Sequence, residues 1–211
     1  MTDVVVVGSG PGGLAAAVTC ARAGLDVLVL EAQPEAGGGL RTRRVDGLDV
    51  DECSAVHPLA LASPFFRAFD LAARGVELVV PEASFAHPLD GRRAAIAWRD
   101  LERTTRELGT PAWARTFGPL VDRVEDVVAL VLGDHRGLPG PRAAGLLGAG
   151  FVQASASRTW SPEADALFAG VAAHVTSGPG SPAWTAGGLL LTTLAHASGW
   201  PVPVGGSQAI A

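Results

Sequence analysis

The hexapeptide Gly8-Ser9-Gly10-Pro11-Gly12-Gly13 follows directly on the apolar run Val4–Val7, and its spacing is G-x-G-x-x-G. Residues without a Cβ at these positions allow three things at once. Gly8 permits a sharp turn out of a strand, Gly10 lets main chain approach a pyrophosphate, and Gly13 lets the following helix pack closely on the strand. A helix opening at this point directs free N–H groups and its positive dipole end at the phosphates. Ala17, one turn beyond Gly13, keeps the packing face small. Glu31 stands where a second strand should end, placed to accept hydrogen bonds from an adenosine ribose. A carboxylate there disfavours NADP, whose 2′-phosphate it would repel.

The other reactive side chains give weaker patterns. Of the five histidines, His57 is open to two readings, a cofactor contact or a hydrogen-bonded structural residue. His174 and His196 fall on apolar helical stretches and are expected in the core, whereas His87 and His135 fall in turn-like context and are expected at the surface. Neither the histidines nor Cys20 and Cys53 have metal-ligand spacing, so no metal is expected. There is no G-x-S-x-G elbow to support hydrolase chemistry. The five tryptophans are expected to be core residues.

These residues need elements to position them. Val4–Val7 is predicted as a strand buried on both faces, Leu14–Ala23 as a helix stopped by Gly24, and Asp26–Leu30 as a second buried strand. Together they form one βαβ unit. Arg41–Asp51 alternates around Asp46-Gly47 and predicts a hairpin, and Phe85–Leu89 with Arg93–Trp98 predicts another across Asp90-Gly91. Pro64–Ala73 is predicted helical and Val76–Val80 as a strand. From Asp100 the chain is predicted mostly helical. Ser161-Pro162 forms a helix start, and Gly133–Pro141 forms an exposed connection. The fold class is therefore α/β: an incomplete Rossmann-like βαβ unit followed by a mostly helical α+β region. The predicted domains are 1–58 and 59–211.

A second glycine cluster, Gly37-Gly38-Gly39-Leu40-Arg41-Thr42, follows the ribose-binding acid and can bring chain to the same pyrophosphate from the other side. Gly8, Gly10, Gly13, Ala17, Gly24, Val27, Glu31, Gly37, Gly38 and Thr42 fall in order on a composite pattern, G-x-G-x-x-G-x-x-x-A, G-x-x-V-x-x-x-E and G-G-R-x-x-T. In this the sequence resembles the FAD-binding amine oxidase and phytoene desaturase group. The resemblance implies FAD as cofactor, held by Gly8, Ser9, Gly10, Pro11, Gly12, Gly13, Glu31, Ala32, Gly38, Gly39, Leu40 and Arg41, with His57 near the flavin. One position departs, since Gly39 stands where the family has Arg. Arg41 either takes over that role or is a solvated hairpin residue.

The segments Asp49–Pro58, Leu167–His174 and Gly199–Gln208 extend the resemblance to the flavin-proximal stretch and the substrate domain of phytoene-desaturase-like oxidoreductases. It implies hydride removal from an apolar or amphipathic small-molecule substrate. It also implies that a third nucleotide-domain strand and a C-terminal flavin segment lie beyond Ala211, so that the chain is the N-terminal portion of such an enzyme and inactive alone. A catalytically inactive nucleotide-binding remnant and an NAD-binding dehydrogenase stay open as alternatives.

Composition narrows the setting. The 211 residues carry a net charge of −5, with 16 Lys plus Arg scattered along the chain, which excludes nucleic acid as a charge-driven partner. Hydrophobic residues at 48% and charged residues at 18% suit a packed core and exclude disorder. Two cysteines, no basic leader and no uniformly apolar stretch of about 20 residues predict a soluble cytoplasmic chain. Nothing indicates contact with a membrane surface, and oligomeric state has no signature.

Overall fold

The computed structural model describes residues 1–133, 141, 144–145, 148–149, 151–152 and 160–211. They divide into two compact units, one of residues 1–57, 65–79 and 201–211, the other of residues 58–64 and 80–200.

In the first unit, strand β1 (Val4–Val7) runs parallel to β2 (Val27–Leu30), in register from Val4 with Val27 to Val7 with Leu30. Helix α1 (Pro11–Arg22) connects them and starts three residues earlier than the apolar pattern indicates. Pro11 stands in its first turn, where its fixed φ and missing N–H cost nothing. The expectation of strands buried on both faces is corrected. Val5, Val7, Leu28 and Leu30 are 52%, 82%, 45% and 48% exposed, while their neighbours are half-buried. Among the described residues α1 packs on this pair from one side only, so alternate side chains face solvent.

Strands β3 (Thr42–Val45) and β4 (Leu48–Asp51) form the predicted antiparallel hairpin. Asp46 and Gly47 both have left-handed φ values, 50° and 83°, as the two-residue turn requires. The helix predicted over Pro64–Ala73 ends as a helix at Phe69 (Pro64–Phe69), because Asp70 adopts φ 58° and its carboxylate accepts from Ala73 N–H. Of the predicted strand Val76–Val80, Leu78–Val79 (β5) pairs antiparallel with Val202–Pro203.

The second unit contains a long hairpin, β6 (Ala83–Leu89) with β7 (Arg93–Trp98), and helices that include Pro111–Val121, Pro162–Ala172 and Pro182–Ala197. Ser161 and Ser181 cap the last two, each side-chain oxygen accepting from the N–H three residues on. Trp113, Phe117, Leu167 and Leu189 centre the core, at 0–1% exposure. His174 is exposed instead of buried, its ring against Trp200 and its Nδ1 near Val171 O. His87 is half-buried instead of exposed, because its ring fills the space left by the missing side chain of Gly170. His135 and residues 134–140 of the predicted connection lie outside the described residues. No described helix is long and apolar enough to cross a membrane.

His196 is 6% exposed and bridges two elements of this core. Trp113 Nε1–H donates to its Nε2 (3.0 Å), which leaves Nδ1 protonated to donate to Trp98 O (2.8 Å). Both bonds suit the neutral ring, and burial pushes its pKa from 6.5 to about 4. Between these values the native state binds fewer protons than the unfolded chain. The contribution is therefore complete above about pH 6.5 and is lost as pH falls toward 4, amounting to about 3 kcal/mol. Denaturant unfolding followed across this window should show that fall, and His196→Gln, which keeps an amide donor and acceptor but does not titrate, should flatten it.

Candidate functional site

The glycine-rich turn leaves β1 at Gly8, whose N–H donates to Leu30 O (2.7 Å) and so ties the turn to the end of β2. Gly10 is the N-cap of α1, with extended φ and ψ, and offers no side chain to the free N–H groups behind it. The first turn of α1 also lacks acidic residues, so its positive end is uncompensated and suited to an anion. Gly13 is required by packing. A Cβ there would lie 2.1 Å from Gly8 O.

The second glycine cluster comes to the same place. Gly37 N–H donates to Ser9 O (2.9 Å), and a Cβ on Gly38, which has φ 56°, would lie 2.9 Å from Gly10 Cα. Two main-chain segments thus meet with no side chain between them. Leu40 behind them is buried at 5% exposure, and Ala32 is exposed beyond the tip of β2.

Glu31 sits beside this turn. One carboxylate oxygen accepts from Ser9 N–H (2.8 Å) and Ser9 Oγ–H (2.6 Å), and the other accepts from Gln33 N–H (2.9 Å). The Ser9 hydroxyl, then the Ser9 and Gln33 amides, hold its pKa down at about 2, so it is an anion at neutral pH. A carboxylate has about four acceptor positions. The Ser9 and Gln33 donors, with the Ala32 amide, occupy these, and rotation of the Ser9 hydroxyl would free one for a diol hydroxyl.

Arg41 donates from Nε to Glu52 (3.1 Å), and Arg43 pairs with the other oxygen of that carboxylate (2.7 Å). Both arginines are thereby held along the β3–β4 hairpin. Gly39 has no left-handed φ, and a Cβ on it would meet Cys53 Cβ at an ordinary 3.6 Å.

His57 is held by Ser207. Its Nε2 lies 2.7 Å from Ser207 Oγ, whose one proton goes to Ser54 O (2.6 Å), so His57 must be the donor. Asp51 accepts from Ser207 N–H (2.8 Å) and Thr42 Oγ–H (2.6 Å). Burial pushes Asp51 up, yet the Thr42 and Ser207 bonds outweigh it and leave the carboxyl below its ordinary value. Burial also lowers His57, opposed by the Asp51 charge. Serine, histidine and aspartate are close here, but the serine proton is spent on a carbonyl and the histidine donates. The group is a set of ties and not a nucleophilic triad. Sequence assigns no site role to Thr42, Ser54 or Ser207, because their partners lie up to 166 residues away.

Residues 6–76 match the NAD(P)-binding Rossmann-like domain family. The N-terminal segment is Rossmann-like. Over 51 residues the chain is 53% identical to sarcosine oxidase subunit alpha of Corynebacterium sp. (strain U-96), a stretch that is 23% of this chain and 5% of that protein. Over 49 residues it is 57% identical to human all-trans-retinol 13,14-reductase, covering 23% of this chain and 8% of the reductase. Across 99% of its length it shares its fold with a fatty acid isomerase from P. acnes, at TM-score 0.57, 16% identity and 48% of that structure's chain. The chain thus spans less than half the length of each of these relatives. They bear out the resemblance to the N-terminal part of FAD-dependent oxidoreductases.

Replacing these glycines separates packing from composition. Gly13→Ala and Gly38→Ala are each expected to cost roughly 1–3 kcal/mol in denaturant unfolding. Gly12→Ala, where a Cβ meets nothing within 4 Å, should be neutral or slightly stabilising.

Proposed function

We propose that the first unit binds the ADP portion of FAD and that the chain is the N-terminal part of an FAD-dependent oxidoreductase acting on an apolar or amphipathic substrate. The observation that carries this is the meeting of Gly38 with Gly10, which makes a two-sided main-chain cradle at the N-terminus of α1. A dinucleotide site built from the first glycine turn alone needs only one side of it. The residues fit the group. Free N–H groups at the start of α1 would hold the phosphates, a pre-ionised Glu31 would hold the ribose, and no acidic side chain of the first turn competes. The retinol reductase and fatty acid isomerase among the relatives support the apolar substrate class. Phytoene-desaturase-like hydride removal from carbon is the finer form of the reading.

In this reading residues 1–58, with the segments clustered on them, hold the nucleotide, and the larger unit meets the substrate. Bound flavin would supply the hydride acceptor. The chain's own contribution at this end is placement: Ser9 and Gln33 fix the Glu31 carboxylate, and the open first turn of α1 would hold the phosphates.

FAD is expected to raise the thermal midpoint of the protein and to co-elute with it, whereas NADH and NADPH leave the midpoint unchanged. A shift with NADH and none with FAD would sink the flavin reading in favour of a dehydrogenase. Glu31→Gln removes the charge and sets its NH2 against a backbone donor, Gln33 N–H if its oxygen keeps the Ser9 bonds, and should weaken FAD by about tenfold in a fluorescence titration. Gly39→Arg is tolerated by the backbone and returns a cation to the phosphate side. It should tighten FAD about fivefold in the same titration.

A further inference from the structure

The segment Gly205-Gly206-Ser207-Gln208 lies more than 160 residues from the glycine cluster it touches. Its contacts form two continuous relays. In the first, Gln208 N–H donates to Thr42 Oγ (3.0 Å), whose proton goes to Asp51, which also accepts from Ser207 N–H. In the second, His57 donates to Ser207 Oγ, which donates to Ser54 O, while His57 N–H donates to Pro201 O (2.9 Å). Every donor in both relays has an acceptor, and Ser207 is fully buried. The approach is closer than a side chain allows, since a Cβ on Gly206 would lie 2.4 Å from Thr42 Cγ2.

From this anchored position the Gln208 side chain reaches the cofactor loop. Its Nε2 donates to Ala36 O (3.0 Å), and its amide lies 3.2–3.3 Å from the place a Gly37 Cβ would occupy. Gly37 is the residue whose N–H is bonded to Ser9 O, and Gly38 is the residue that meets Gly10. The loop is therefore held from both sides, by the glycine turn on one and by Gln208 on the other.

We infer that Ser207 and Gln208, with Thr42 and Asp51, are positioning residues that set the approach of Gly37–Gly39 to Gly10 and so set nucleotide affinity. They act through the loop, with Gln208 the link to it. The inference rests on the proposed FAD site and names what tunes it.

The test uses the full 211-residue chain. Thr42→Val breaks the first relay at nearly constant volume, and Gln208→Leu removes the donor to Ala36 O. Each should weaken FAD about tenfold, the loss expected for one or two hydrogen bonds. Amide exchange at Gly37 should quicken in both, while exchange at the core amides of the helix Pro182–Ala197 stays at the wild-type rate. Thr42→Ser keeps the hydroxyl and should restore affinity and exchange to within about twofold of wild type. Wild-type binding with unchanged affinity in Thr42→Val and Gln208→Leu would overturn the inference and leave the FAD site standing. Failure of wild type to bind FAD overturns the FAD reading instead, and Gly37 exchange in the variants then still reports on the Gln208 link to the loop. Equal quickening at Gly37 and in the helix core would mark a loss of general stability and overturn the positioning role.

Discussion

The nucleotide end of this chain depends on two stretches of main chain lying closer than side chains permit. Gly38 and Gly10 touch at backbone level, and Gly13 closes on Gly8 O in the same small volume. The cradle is made of amide groups, so its charge distribution belongs to the helix and the turn and not to any side chain. Such a surface is rigid in a way a ring of lysines is not, because its donors have no rotamers to lose on binding. It also has little tolerance, since any Cβ at the point of contact must displace backbone.

Holding that contact requires satisfied polar groups, and the first unit supplies them in pairs. Ser9 gives both its amide and its hydroxyl to Glu31, while its carbonyl receives Gly37 N–H. Asp51 receives from the hairpin and from the distant Ser207 together. A shared carboxylate of this kind couples its donors, because losing either leaves a partly buried charge short of a partner. His196 in the second unit does the same job without charge, as a neutral ring with one donor and one acceptor engaged.

Local patterns carried much of this. The βαβ unit, both hairpins with their Asp-Gly turns, and the Ser-Pro cap at Ser161 were legible because each is decided within a few residues. The glycine fingerprint and Glu31 were legible for the same reason. What failed was burial. Four continuous valines signal a strand but not which faces are covered, since that depends on what packs there. His87 is half-buried because Gly170, far along the chain, leaves room for its ring, and His174 is exposed with one side of its ring against Trp200. The Ser207 ties were invisible because hydrogen-bond partners at such separations leave no periodicity to read.

The uneven distribution of buried apolar residues has a thermodynamic corollary. Among the described residues, the buried clusters centred on Trp113 and on Val128 belong to the second unit. Among the described residues, the first unit buries as hydrophobics only Ala17, Leu40, Leu71 and Val76. Apolar burial so lean lowers the free energy of local opening. A dinucleotide seated across the turn and the loop would then act as part of that unit's interior, supplying contacts the polypeptide lacks. Occupancy would then add to that unit's stability, by an amount that grows with ligand concentration relative to its dissociation constant.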